Sequence, residues 1–591
     1  MTWIAAAILS IGIRMRSRGI LGKALGLAVL AIMGRPSHAF AAPSGTIESG
    51  GGLVAIDWAI IAIYAVATIA MGWWYGRKHE TTKEYFVGDG KMNPFLIGIS
   101  LFATLLSTIT YLSIPGETLG KGPVFLATML GVPFVYWAVA YWLLPVYMRY
   151  RVTSAYELLE AKLGLSVRLL GAMMFLSLRL VWMSLLVYLM AKVIVVMADP
   201  AAETTGRDQY MVPLVAAVTG IVAVVYTTLG GLRAVVITDL FQSILLFGGA
   251  LLVLIVASYD VGGLGWFPTT WQPHWDEQPF FSLDPNVRVT VVGSILTFFL
   301  WSVCTAGGDQ TSVQRFMATT DLFAARRAVA VQMSAAVAVN LLLGLVGFAL
   351  MAYFRKDPAR LPDGMTIENN ADVCFPLFVS HHLPIGISGL VISGMFAAAM
   401  SSLDSGVNSI TAVIMSDFLD RFGLRPKTER GHVRAAQVLA LTIGTIVVFG
   451  STFMKFVPGN ITSVTQKTSN LLTTPIFCLF VFALFIPFSR PLGVWAGAIA
   501  GTGTAAIIAF SGPLVVLLDS WGINPATFGA TIETKTDPVT GAVSRFADDP
   551  ISFQWIAPLA IAANLGVGCV VSLLLPRPQA TPAPEANEVS P

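Results

Sequence analysis

The chain has 591 residues, 55% of them hydrophobic and only 12% charged, about half the charged fraction of soluble domains, which makes it a membrane protein. Lysine plus arginine (36) nearly balance aspartate plus glutamate (33), so there is no basic field for nucleic acid. Cys304, Cys374, Cys478 and Cys569 lie far apart without metal-type spacing, which argues against a disulfide scaffold or a zinc site.

The first object along the chain runs from Met15 to Ala41. It has a basic start (Arg16, Arg18, Lys23), an apolar middle and Ala39-Phe40-Ala41 as a small-residue cleavage site. That is the pattern of a secretory signal peptide over residues 1–41; the alternative is an uncleaved helix, and Met15 is an alternative start. A short extracellular segment, 42–54, follows. Over 55–576 come thirteen runs that reach the roughly 20 apolar residues a crossing needs: 56–76, 95–118, 124–147, 168–197, 211–229, 234–258, 289–310, 327–354, 386–418, 434–454, 461–486, 491–517 and 553–576. Barrel strands would be shorter and half polar, so the predicted fold is an all-α polytopic membrane protein.

With the first span running inward, the inner connections hold the excess of basic residues, among them Arg77, Lys78, Arg149, Arg151, Arg326, Arg327, Arg421, Arg425 and Arg434. This places the protein in the cell (inner) membrane with its mature N-terminus outside and its C-terminus in the cytoplasm. The loops near 259–288, 355–385 and 518–552 then face outside, and His381-His382 reads as a solvated pair in one of them. The Pro-rich stretch 577–591 is a cytoplasmic tail.

No phosphate-binding loop, nucleophile elbow or metalloprotease motif occurs; Gly116 to Lys121 has the wrong spacing for the first of these. The chain is therefore not expected to be an enzyme, and its chemistry must lie in polar groups inside the helices. In the second span, SLFATLLSTITYLSIPG, Ser107, Thr108 and Thr110 precede Pro115-Gly116. A broken helix there would expose carbonyls beside a cavity or ion; a whole helix with hydroxyls bonded back one turn is the alternative. Arg179 lies about 16 Å into the fourth span from Arg168, too deep to reach the interface. It either pairs with an internal carboxylate or holds a substrate carboxylate. Asp239, in the sixth span, either pairs with Arg233 or shares a cation with the ninth. In the ninth span Ser401, Ser402, Asp404, Ser405 and Asn408 crowd oxygens of the kind hard cations prefer into about two turns. Lys467, in the eleventh span, poses the same choice as Arg179.

Taken together, EYFVGDGKM, GGLRAVVITDLFQ, GGDQTSVQRFMA and AAAMSSLDSGVNS resemble, in order and placement, the sodium/solute symporter family, over about residues 55 to 490. The resemblance implies a LeuT-like fold, with two five-helix repeats of opposite orientation (spans two to six and seven to eleven), one helix before them and two after. It further implies a main Na+ site made by the carbonyls of Ala103, Leu106 and Ala398 and the hydroxyls of Ser401 and Ser402. A second sodium in some members would be held by Asp239, Asp404 and Ser405, with Asp404 departing from the serine usual there. Met129 and Thr305 stand where the sugar branch has its acidic and aromatic residues, which argues against a sugar pocket. Ser107, Thr110, Arg179 and Gln466 are the implied substrate contacts, Arg179 lying within one turn of the family's arginine.

The expected function is sodium-coupled symport of an organic anion, monocarboxylate-like or sialic-acid-like, by alternating access. A neutral sugar, amino acid or vitamin is the alternative solute, and a solute-sensing transceptor the alternative class. Partners are then sodium, a small solute and the lipid bilayer, with no obligatory protein partner.

Overall fold

The computed structural model describes residues 53–575, apart from 77–85, 87–89, 151, 153, 200–201, 203–204, 363, 425, 457–460, 537–542 and 548. The signal-peptide reading, the tail and most of EYFVGDGKM therefore lie outside the described residues. Within them, twelve helices are long and apolar enough to cross a membrane, and one bent pair makes a thirteenth crossing.

The bent pair is the second span. Pro94–Leu105 and Thr108–Gly120 meet at 65°, joined by Leu106 and Ser107 in extended conformation (φ −83° and −100°). The local sequence supplies both caps. Asn93 accepts the N–H of Phe95 at 2.8 Å and precedes Pro94 at the first helical position, and Ser107 caps the second half through the N–H of Thr110 at 3.4 Å. Each satisfies a backbone donor that has no helical partner. Pro115 is not the break; it sits inside the second half.

A second interruption was not expected from the sequence. The seventh span, read as continuous over 289–310, is the helix Val291–Gly308, then Asp309 in extended conformation, then the short helix Gln310–Met317. Asp309 caps the latter by accepting the N–H of Thr311 at 2.8 Å.

The fifth and sixth spans, Asp208–Thr228 and Gly230–Val261, are joined through Gly231, whose φ of 60° and ψ of −179° belong to a region open only to glycine. The ninth span, Ile387–Asp420, is the most buried, 89% of its apolar window against 22% in the first span, Ala55–Gly76. It is therefore the axis of the bundle. Small residues let neighbours approach it: a side chain at Gly394 would meet the backbone of Leu245 at 3.0 Å. Asp57 of the first span caps its start, accepting the N–H groups of Gly386 and Gly389 at 2.9 Å each.

The connection over 518–552 is not all irregular. Residues Ile532–Thr536 and Val543–Ala547 pair as an antiparallel hairpin, an addition to the all-helical expectation. His382 corrects the reading of a solvated pair: it is buried against Tyr353, Phe354 and Phe378, with Nε2 3.2 Å from the carbonyl of Arg360.

Two outcomes are expected. Gly231→Ala should lower stability by about 1–3 kcal/mol, the cost of forcing a Cβ into that conformation, read as a lower unfolding temperature of the purified protein. Burial pushes the His382 imidazole from 6.5 down to about 4. Because the unfolded chain binds that proton more readily, stability is complete above about pH 6.5 and declines toward 4, losing about 2 kcal/mol by pH 5. Unfolding temperatures at pH 7.5 and 5 should differ less in His382→Gln.

Candidate functional site

A helix that stops in mid-membrane leaves its last carbonyls without helical partners. In the second span the final helical bond runs from the N–H of Leu106 to the carbonyl of Phe102. The carbonyls of 103 to 106 therefore face other partners, and the ninth span lies against them. Ser402 Oγ donates to the Thr104 carbonyl at 2.9 Å. Ala103, Leu106, Ala398, Ser401 and Ser402 are all buried here.

Ser401 leads to a second set of groups. Its Oγ donates to Asp239 Oδ1 at 2.5 Å, and Ser100 Oγ donates to Oδ2 at 2.5 Å. Arg315, on the short helix after Asp309, is fully buried beside them. Its Nε donates to Ser100 Oγ at 2.9 Å, and its Nη2 lies 3.7 Å from Asp239 Oδ2 and donates to Ser405 Oγ. Ser405 Oγ is in turn 2.8 Å from Thr104 Oγ1. Asp239 thus pairs with Arg315, not with Arg233, which is exposed. Asp404 stands apart from this network: its Oδ1 meets Thr227 Oγ1, from the fifth span.

On the other side of the break lies a cavity of about 170 Å³. Ser107 and Thr110 line it, together with Met129, Trp182 and Gln466. It extends from the second-span break along the seventh span to Ser294 and Gln554. Every side chain on its wall is uncharged. Three of the four substrate contacts implied by the resemblance therefore share one cavity. Arg179 is not on that wall. It forms a buried ion pair with Asp309, the carboxylate at the interruption of the seventh span. Lys467 pairs with Asp549 of the connection before the last span, and Thr305 is buried away from the cavity wall.

Sequence reasoning missed Arg315, Ser100 and Asp309. Arg315 and Asp309 belong to GGDQTSVQRFMA; the charge of Asp309 within the predicted span 289–310 was a usable signal, whereas Arg315 fell in the connection after it. Ser100 carried none.

The carbonyls freed at the seventh-span interruption are occupied. Tyr156 Oη donates to the carbonyl of Gly308 at 3.1 Å, and Tyr147 Oη donates to that of Gly307. Of the two breaks, only the second-span one turns carbonyls toward a serine-rich helix.

A sequence profile of the sodium:solute symporter family matches residues 85–501. The chain is 27% identical over 402 residues to the sodium/sialic acid symporter of Proteus mirabilis, covering 66% of this chain and 76% of that one. It is 27% identical over 550 residues to the sodium-dependent multivitamin transporter of Oryctolagus cuniculus, with coverage of 88% and 82%. Its fold is similar to the solved substrate-bound, outward-open state of a Na+-coupled sialic acid symporter, with a TM-score of 0.68 at 22% identity, covering 88% of this chain and 98% of that one. At that identity the likeness concerns the fold, the LeuT-like five-plus-five arrangement.

The Arg179–Asp309 pair is directly testable. Arg179→Ala leaves Asp309 buried without its counter-charge and should cost about 3–5 kcal/mol of stability, measured by thermal unfolding in detergent. Adding Asp309→Asn should restore most of the loss.

Proposed function

Because the chain belongs to the sodium:solute symporter family, and so is a multi-pass, sodium-coupled secondary transporter and not an enzyme, we propose that its solute is an organic anion bound at the second-span break. The observation that carries this reading is the double polarity of that break. Carbonyls at the end of Pro94–Leu105 point toward the ninth span, and the N-terminal end of Thr108–Gly120, with Ser107 and Thr110, points into the cavity. A helix N-terminus carries partial positive charge and free N–H donors, which suit a carboxylate.

In this reading sodium takes the carbonyls of Ala103, Leu106 and Ala398 and the hydroxyls of Ser401 and Ser402. Each serine hydroxyl already donates its one hydrogen, to Asp239 and to the Thr104 carbonyl, so its lone pairs are free to face a cation. The ion would bridge the second and ninth spans and hold the break in shape for the solute. It would also supply positive charge that the cavity wall lacks. Gln466 would orient the solute from the eleventh span. Arg179 would act at one remove, by fixing the seventh-span interruption through Asp309.

Each sodium moving inward through 100 mV releases about 2.3 kcal/mol, enough to concentrate a neutral solute about fifty-fold. The likeness to a sialic acid symporter supports an acidic solute. A second reading, a neutral solute or vitamin, is favoured by the uncharged cavity wall. The excess of basic residues in the inner connections supports an outside N-terminus and a cytoplasmic C-terminus.

The test begins with thermal shifts of the purified protein against organic acids, sugars and amino acids, with sodium or choline present. Sodium-dependent stabilisation by acids alone is expected; stabilisation by neutral compounds alone would favour the second reading. Uptake of the compound so identified should fall at least tenfold in Ser402→Ala, and Ser107→Ala/Thr110→Ala should raise its KM with little effect on sodium binding.

A further inference from the structure

Hydroxyls inside the helices of this bundle commonly return to their own backbone. Thr118, Ser243 and Ser393 each donate to the carbonyl four residues earlier, which settles a polar group in an apolar interior without outside help. Ser294 and Thr297, on the helix Val291–Gly308, do not. They are 3% and 7% exposed, and Ser294 Oγ and Thr297 Oγ1 are buried without a hydrogen-bond partner. Three positions apart, they share one helical face, and both line the cavity. A buried hydroxyl that bonds nothing is costly, and two of them together on a cavity wall are groups a ligand can satisfy.

The wall beside them is held in place. Phe553 and Gln554, from the segment before the last span, bound this end of the cavity. Gln554 Oε1 accepts the N–H of Thr290 at 3.2 Å, and its Nε2 donates to the carbonyl of Arg288 at 2.5 Å. Ser552 Oγ donates to the same carbonyl at 2.7 Å. A Cβ at Gly293 would collide with Gln554 Oε1, so glycine is what lets the amide reach the start of the helix. Gln554 thus positions the wall, and the hydroxyls of Ser294 and Thr297 remain for a ligand.

Distance and charge narrow what that ligand is. Wall residues of the seventh span run from Ala306 to Ser294, a helical rise of about 18 Å. A solute whose acid group is held at the second-span break therefore reaches Ser294 with a different part of the molecule. No charged side chain lines that end, and a hydroxyl both donates and accepts, so the group that suits it is itself uncharged. We propose that Ser294 and Thr297 form a subsite for a distal hydroxyl or amide of the solute, so that the cavity reads an organic acid from both ends. The subsite deepens the reading of an acid at the second-span break and rests on it.

Apparent affinities from thermal shifts of the purified full chain in sodium buffer test the subsite. The probes are ω-hydroxyalkanoates of increasing chain length, the unsubstituted alkanoates of equal length, and the ω-hydroxyalkanamides, which keep the hydroxyl and lack the charge. At one chain length the hydroxy acid should bind about tenfold more tightly than its plain counterpart. Ser294→Ala/Thr297→Val should abolish that advantage and leave the plain acids unchanged. If the double variant does not fold, the comparison of the two acid series on the wild type still decides. Equal affinity of the two acid series at every length, or an advantage that survives the double substitution, would overturn the subsite and leave the acid reading intact. Stabilisation by none of the three series overturns both. If the amides bind, the acids do not, and the double variant weakens the amides about tenfold, the subsite stands and the acid reading fails; amide binding indifferent to the double variant sinks the subsite as well.

Discussion

Hydrocarbon offers no hydrogen bonds, so a backbone group left unpaired at mid-membrane costs several kcal/mol. This chain nonetheless breaks its second span there, and a second interruption follows the seventh span at Asp309. The two interruptions are settled differently. At Asp309 the freed carbonyls are taken by Tyr147 and Tyr156, and the next helix is capped by Asp309 itself. At Leu106 the carbonyls turn toward the ninth span, where the Ser402 hydroxyl meets that of Thr104. A carbonyl held by a tyrosine is closed to a cation, whereas one facing a hydroxyl can share it with an ion.

The same break explains how an ion and a solute can be coupled over a short distance. Its carbonyl end and its N–H end belong to residues only a few positions apart, with opposite partial charges and opposite tastes in ligand. An ion that fixes the first also fixes the second. No charged side chain on the cavity wall is needed for this, and none is there. Elements outside the two repeats brace helices within them. Asp57 pins the start of the ninth span, and Gln554 accepts the N–H of Thr290 at 3.2 Å where the seventh span begins.

Charge inside the bundle follows one rule. A carboxylate removed from water is expensive unless paired, and Arg168 and Arg179 of the fourth span, Arg315 after the seventh and Arg288 before it serve that purpose. Arg179, deep in its span, was readable as a substrate ligand or as a partner of an internal acid; the tertiary structure sets it against Asp309. Asp239 was readable as a partner of Arg233, less than two helical turns away, and the structure sets it against Arg315 from a distant part of the chain.

Composition and apolar run length determined the class, the thirteen crossings and the motif that carries Ser401 and Ser402, because hydropathy and helical spacing are local properties of the chain. The break of the second span was half legible: its hydroxyls suggested it, but Pro115 drew attention to the wrong place, since a proline near a helix end is tolerated once neighbours satisfy the carbonyl it frees. The Asp309 interruption, the burial of His382 and the isolation of Asp404 were decided only by tertiary structure. Each depends on which side chains from remote segments arrive within hydrogen-bonding distance, and no local pattern encodes that.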